Sequence, residues 1–163
     1  SPKGVDRVYN LIKMGYYDDV SFFRVIDGFM AQFGIHGKPA VNKAWKEATI
    51  PDEPVEETNT RGKVTFAKRN MPDSRTVQLF INYGDNSKLD SQGFAPIGEV
   101  DKCMGNVDSL HAGYGEGAPR GQGPSQKLMN EKGNSYLEAK FPELDYIRST
   151  EILAERGADE ASK

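Results

Sequence analysis

Residues 22–34, Phe-Phe-Arg-Val-Ile-Asp-Gly-Phe-Met-Ala-Gln-Phe-Gly, decide how this chain is read. Strand alternation sends every second side chain to the same side, so Arg24, Ile26, Met30 and Gln32 fall on one face of a strand pair. Between the two halves lies Asp27-Gly28, a two-residue hairpin signal in which the glycine is free to take positive φ. A cation, an amide and a thioether then share one surface, which suits a shallow apolar pocket with a single positive donor at its rim.

The rest of the chain reads outward from that hairpin. Val5, Val8, Tyr9 and Ile12 recur at helical spacing behind Ser1-Pro2, with Gly15 as the stop, and predict an amphipathic helix over 2–15 that lids a core. Residues 34–60 carry glycine, prolines and the acidic groups Asp52-Glu53 and Glu56-Glu57, and read as a long, largely irregular loop with a solvated acidic face. Lys63 to Ala67 and Val77 to Asn82 read as strands across an Asn70–Ser74 turn. Phe94 to Val100 is a further strand that Pro96 demotes to an edge or a bulge. Met104, Val107 and Leu110 give a second short helix within 101–111, residues 125–140 have room for another with Leu128, Leu137 and Phe141 turned inward, and Tyr146 to Leu153 is the last strand. Residues 1–153 form one domain, with a polar tail over 154–163.

Composition limits the function classes. A chain of 163 residues buries about two thirds of its unfolded surface without covalent staples. Its single cysteine, Cys103, forms no internal disulfide and is expected in the core; with only His36 and His111 beside it, no metal cluster and no cofactor are expected. A net charge of −3 argues against a phosphate-backbone partner, so no nucleic acid is expected, and no apolar run is long enough for a membrane span. One cysteine suits either redox compartment, so the compartment stays open between periplasmic or secreted and cytoplasmic. Gly113 to Ala118 fits the dinucleotide pattern G-x-G-x-x-A, but it follows a helix, runs into Pro119 and lacks a βαβ unit, so it is read as a loop.

The hairpin also resembles the signature of the cyclophilin family of peptidyl-prolyl cis/trans isomerases. The likeness runs over Phe22 to Ile26, Gly28-Phe29-Met30 and Gln32, and continues at Gly62 to Ala67, Gln78 to Ile81, Leu89-Asp90 and Ile97 to Val100, so it spans residues 2 to 152. It implies a mainly β protein, a closed antiparallel barrel capped by two helices, with proline-containing peptides or unfolded proteins as partners and cyclosporin-type ligands held at weakened affinity. Family members have two strands before their first helix, and this chain opens directly on that helix, which implies a barrel incomplete at its N-terminal side.

Residue by residue, the resemblance makes Arg24 the catalytic arginine and Gln32 its partner. Phe29, Met30, Phe80 and Leu89 would wall the proline pocket, Gln78 would hydrogen-bond around the substrate, and Ala67 would offer its backbone. Lys68, Lys88 and Phe94 stand where many relatives have asparagine, tryptophan and histidine, and two rim lysines would favour acidic neighbours of the proline. Each position has a plainer reading: Arg24 in a surface salt bridge, the apolar four as ordinary core, the glutamines as solvent-facing strand residues. The activity implied is acceleration of X-Pro rotation; the alternatives are a proline-peptide-binding or chaperone-like module with little turnover, or an interaction domain built on the loop at 112–124.

Overall fold

The computed structural model describes residues 1–155, so most of the expected tail over 154–163 lies outside the described residues. Its elements run α1 (Pro2–Lys13), β1 (Val20–Ser21), β2 (Arg24–Ile26), β3 (Met30–Phe33), α2 (Pro39–Trp45), β4 (Lys63–Phe66), β5 (Leu79–Asn82), a 3-10 helix (Ser87–Gln92), β6 (Pro96–Glu99), α3 (Met104–Asp108), α4 (Gln126–Lys132), α5 (Asn134–Lys140) and β7 (Tyr146–Ile147). Among the described residues the strands are accompanied by five α-helices and a 3-10 helix, which corrects the expectation of two capping helices. The strands pair antiparallel throughout, in a five-stranded sheet of order β2-β3-β5-β4-β6 and a separate pair β1-β7.

Register divides this sheet into two functions. One row of directly opposed residues runs Arg24, Gln32, Phe80, Thr65, Pro96 across all five strands, and the next places Ile26 opposite Met30 and Met30 opposite Asn82. The opposite face presents Phe33, Leu79, Ile81 and Phe66 to the main core, which Leu11, Tyr16 and Tyr17 complete. The hairpin turn holds three residues, Asp27 to Phe29, rather than two: Ile26 pairs with Met30, and the Phe29 N–H donates to the Ile26 carbonyl at 3.0 Å. Gly28 supplies the positive φ of +71° that this turn requires. A two-residue turn would have paired Ile26 with Phe29 and set Arg24 opposite Ala31; the third turn residue is what brings Gln32 opposite Arg24, so the expected shared face forms although the expected turn does not.

Several segments depart from the sequence-based expectation. In α1 the inward face is Gly4, Val8, Leu11 and Ile12, and Val5 is exposed. Gly4 sits so close to Ile97 that a Cβ would meet its Cγ2 at 2.7 Å, and this lets the helix lie down on β6. The stretch read as loop over 34–60 contains α2, started by Pro39 and held by Val41 and Trp45 against the main core. Buried Asn42 clamps it, accepting from the His36 N–H and donating to the His36 carbonyl, both at 2.8 Å. Pro96 does lie on an edge strand, beside a register shift at Val64/Thr65.

Residues 125–140 form two helices instead of one. Gly133, at φ +65° and against the backbone of Gly37, breaks them apart, and Met129 rather than Leu128 joins Leu137 and Phe23 in a second core. The last strand is only Tyr146–Ile147, paired with the unanticipated Val20–Ser21; Leu153 is exposed. Cys103 is exposed and not in the core, because it caps α3 at φ +66° while Met104, Val107 and Leu110 take the inward positions.

The acidic loop is partly structural. Arg75, 2% exposed, pairs with Glu53 at 3.0 Å, and its guanidinium also donates to the Pro51 carbonyl. Glu53 accepts from the Ser1 hydroxyl and from the Lys3 and Gly4 amides, so one carboxylate ties the loop to the start of α1. Burial works to raise its pKa, and the hydrogen bonds from Ser1, Lys3, Arg75 and Gly4 outweigh it and bring the value down to about 2. A depressed folded-state pKa gives stability that is present above the ordinary value of 4.5 and is lost as pH falls toward about 2. The unfolding free energy obtained from urea titrations should therefore fall across that window, by up to about 3 kcal/mol from this group. Glu53→Gln should remove that part of the slope; an unchanged slope would show that other carboxylates carry the acid dependence.

Candidate active site

Arg24, at the start of the row, lines a cavity of about 360 Å³ together with Phe29, Met30, Ala67, Lys68, Leu89 and Phe94. Gln32 and Phe80 lie on the same lining. Of the site residues singled out in the sequence, Gln78 and Lys88 lie outside this lining; Gln78 lines an adjoining cavity of about 720 Å³ that shares Gln32, Ala67, Lys68 and Gln126 with the first. Residues from three strands, the 3-10 helix and the loops beyond β4 and the 3-10 helix thus converge on one concavity.

Its floor is apolar. Met30, Phe80 and Leu89 are nearly fully buried and form a small cluster of their own, edged by Ile26, Phe29, Ala67 and Phe94. Phe80 and Phe94 meet edge to face with centroids 6.0 Å apart. Met30 and Phe80 lie on the sheet face away from the main core and Leu89 packs onto them from the 3-10 helix, so they form a small core cluster of their own that also lines the cavity. The Ala67 N–H donates to the Gln78 carbonyl at 3.0 Å, and that donor is committed to the sheet.

The polar side of the cavity is a chain of hydrogen bonds. Arg24 Nη1 donates to Gln32 Oε1 at 3.0 Å, Gln32 Nε2 to Gln78 Oε1 at 2.9 Å, and Gln78 Nε2 to Gln126 Oε1 at 3.2 Å. Gln32 is 6% exposed, so it is a buried member of this chain and not a solvent-facing strand residue. Each amide's orientation is set by its neighbour, and the oxygen of Gln32 faces the guanidinium.

The residue that sequence reasoning missed is Glu116. It grips Arg24 side-on, with Nε to Oε1 at 2.8 Å and Nη2 to Oε2 at 2.7 Å. The salt bridge foreseen as the plain alternative for Arg24 is therefore real, but it lies inside the cavity lining and not out on the surface. Hydrogen bonding from Arg24, against partial burial, holds the Glu116 carboxyl below the usual carboxylate range. The 92-residue separation gave no local signal, and the glycine pattern around Glu116 drew attention to phosphate binding instead. The loop is a loop, as expected, and it folds into the cavity wall through Glu116, Pro119 and Arg120.

The rim lysines are not equivalent. Lys68 is ion-paired to Asp52 at 3.1 Å, lies 5.4 Å from the Phe94 ring centre and has a side chain only 10% exposed. This corrects the view of both lysines as free rim charges. Lys88 is exposed, 5.7 Å above the Phe29 ring. Asp52, assigned to a solvated acidic face, is the partner that pairs the charge of Lys68 where it lines the cavity.

Beneath the cavity runs a second polar network. Asn59, fully buried, accepts from the Thr65 hydroxyl at 2.7 Å and from Asn82 at 3.2 Å, and donates to Asp90 at 2.7 Å and the Phe94 carbonyl at 2.8 Å. Asn86 donates to Asn82 and to the Phe29 carbonyl, both at 2.8 Å. These bonds fasten the 3-10 helix that carries Leu89 to the sheet. Among the described residues no group of His, Cys, Asp and Glu is placed to hold a metal, and no helix is long and apolar enough to cross a membrane.

With fold and site in view, comparison with known proteins gives the family. A profile described as cyclophilin type peptidyl-prolyl cis-trans isomerase/CLD matches residues 1–129, and the chain belongs to that family. It is similar to a probable peptidyl-prolyl cis-trans isomerase of Brucella abortus, 34% identical over 123 residues, covering 69% of this chain and 62% of the relative. It is also similar to peptidyl-prolyl cis-trans isomerase B of Escherichia coli, 36% identical over 117 residues, covering 68% and 71%. The chain thus spans under two thirds of the Brucella relative's length. Among solved structures, a cyclophilin type isomerase of Cryptosporidium parvum has the same fold, with a TM-score of 0.64 at 19% identity over 95% of this chain and 86% of that one. The same protein in the presence of the dipeptide Ala-Pro gives 0.56 at 21% identity, over 77% and 79%.

Replacing Asn59 with alanine should unfold the protein more easily by about 3 kcal/mol, since it strands buried groups worth about 1–3 kcal/mol each. Urea denaturation measures this. A loss under about 1 kcal/mol would mean that the 3-10 helix is held chiefly by Leu89.

Proposed function

We propose that the chain is a peptidyl-prolyl cis/trans isomerase domain that accelerates X-Pro rotation in peptides and unfolded proteins and so assists folding. The observation that carries this reading is a guanidinium fixed at the edge of an apolar floor, Arg24 beside Met30, Phe80 and Leu89. The Ala-Pro dipeptide used with the Cryptosporidium parvum relative supports proline as the ligand's anchor. Residues 1–153 are read as this one domain. Its scaffold is read as the family barrel, in which further strands would close the free edges of β2 and β6.

X-Pro bonds rotate slowly because twisting breaks amide resonance, against a barrier of about 18–20 kcal/mol. In the twisted state the prolyl nitrogen gains a localised lone pair, and a donor aimed at it binds that state better than either planar isomer. Arg24 is this donor. The floor of Met30, Phe80, Leu89, Phe29 and Phe94 takes the proline ring, and Gln32 fixes the guanidinium's Nη1 edge. Ala67, Gln78 and Lys68 flank an extended peptide. Cyclosporin-type ligands are expected to bind weakly at this altered rim. The second reading, a proline-peptide-binding or chaperone-like module without turnover, has one observation in its favour: Glu116 occupies two of the Arg24 donors.

NMR exchange spectroscopy on a short X-Pro peptide separates the two readings. The folded chain should produce exchange peaks far above the uncatalysed rate, and Arg24→Ala should cut turnover by about 10² to 10³ while affinity falls much less. Arg24→Lys should rescue poorly, because a point charge lacks the planar fork. Binding without exchange would establish the module instead.

Charge next to the proline should matter little. Lys88 acts through screened attraction worth about 0.2–1 kcal/mol, so a Glu peptide should bind only a few-fold better than its Gln counterpart, with the gap narrowing as salt rises. Lys88→Gln should abolish the gap, whereas a gap surviving that change would place the discriminating charge elsewhere on the rim.

A further inference from the structure

We propose that Glu116 is a positioning residue for Arg24, so that the loop at 112–124 is a working part of the active site. The proposal rests on the isomerase reading of Arg24. An arginine has five N–H donors in a rigid plane. Glu116 takes Nε–H and one Nη2–H, and Gln32 takes one Nη1–H. The other Nη1–H faces only the Met30 thioether, a weak acceptor, at 3.7 Å. One Nη2–H and this weakly engaged Nη1–H therefore remain for a twisted prolyl amide.

Two in-plane bonds along one edge of the guanidinium and one along the other fix both its position and its plane. Neither Gln32 nor Met30 can do this alone, since both contact the same nitrogen and leave the plane free to swing about it. Arginine otherwise brings about 2 kcal/mol of rotamer entropy to any fixed geometry, and the partly buried Glu116 has removed that freedom before substrate arrives. The ion pair thus leaves the arginine useful where a pair taking the Nη1/Nη2 edge would have blocked it.

Glu116 is itself held in place. Its Oε1 accepts from the Gly117 N–H at 2.9 Å, and its carbonyl accepts from the Gly123 N–H at 2.8 Å. The Ala118 N–H donates to the Gly123 carbonyl at 3.0 Å, and Gly121 N–H to the Gly117 carbonyl at 3.1 Å. The glycines make this winding possible: a Cβ on Gly123 would meet the Glu116 carbonyl at 2.9 Å, and one on Gly117 would meet the Pro124 carbonyl at 2.6 Å. The G-x-G-x-x-A stretch is therefore a tight mount for one carboxylate. Arg120 on the same loop adds a second positive charge near Glu116 and helps keep it ionised.

The test compares the full chain with Glu116→Ala, Glu116→Gln and Arg24→Ala, alone and with Glu116→Ala combined with Arg24→Ala, on a peptide containing one Ala-Pro bond. Turnover and peptide affinity are read separately from NMR line shapes. Glu116→Ala should lower turnover about ten- to a hundredfold with affinity changed less than about threefold. Glu116→Gln keeps one acceptor for the fork and should recover part of the loss. In the Arg24→Ala background, Glu116→Ala should cost nothing further. The Arg24 Nε–H signal should be sharp in the parent chain and broadened in Glu116→Ala, with the rest of the amide spectrum unchanged. If the alanine variant fails to fold, Glu116→Gln alone decides, by its turnover and Nε–H signal.

Undiminished turnover in the Glu116 variants overturns the proposal and leaves the isomerase reading standing. Increased turnover also overturns it, and makes Glu116 a plug that substrate must displace. A parent chain that binds the peptide without turnover overturns both.

Discussion

One cross-strand row carries this site: Arg24 faces Gln32, Gln32 faces Phe80, and Phe80 faces Thr65. Because side chains alternate along every strand, a slip of one residue anywhere in this row would send the guanidinium, the amide or the ring into the main core. The slip is opposed by the other face, where Phe33, Leu79, Ile81 and Phe66 are buried against α1 and the tyrosines that follow it. Packing on the silent face thus sets the register of the chemical one. The bulge at Val64/Thr65 lies beyond the row's working members, toward the edge strand.

The site joins a dry floor to a polar wall, and each half has its own support. The floor is held from below by Asn59, Thr65, Asn82 and Asn86, a network in which buried amides satisfy one another and the backbone. A fully paired network of this kind rigidifies the elements it spans. Here it fixes the 3-10 helix, and with it Leu89, against the sheet. The wall is held from the side by Gln32, Gln78 and Glu116. Both supports come from residues far apart in the chain, and the separation lets the floor stay apolar while its neighbours remain fully hydrogen-bonded.

The hairpin was legible because its information is local: alternation and one glycine mark two strands and a turn, while the third turn residue, which sequence did not reveal, is what sets Gln32 opposite Arg24. Family likeness extended this to Phe80 and Leu89, which come from another strand and a 3-10 turn. What stayed hidden was tertiary. α2 is only seven residues long and its helical character depends on the Asn42 clamp and the packing of Trp45, neither visible in a stretch rich in glycine and proline. β1 is two residues long and exists only because β7 lies beside it. Cys103 has the composition of a core residue and the backbone of a helix cap, and the backbone prevailed. Lys68 and Glu116 were misjudged for a single reason: a charge's role depends on its partner, and Asp52 and Arg24 are contacts that sequence spacing does not reveal.

Charge pairing is also what shapes the proposed chemistry. An unpaired arginine at the mouth of an apolar cavity would attract any anion and would hold a planar peptide carbonyl as readily as a twisted amide. Binding both equally well lowers no barrier. With Glu116 on the Nε edge and Gln32 on the other, the net charge of the pair is close to zero and only directed N–H bonds remain. Such donors discriminate by geometry, and their strength depends on the dry surroundings that Phe29, Met30 and Phe80 provide. On this view the carboxylate, the amide and the apolar floor are one device, which converts a general cation into a directional donor suited to the single point where a rotating prolyl amide gains a lone pair.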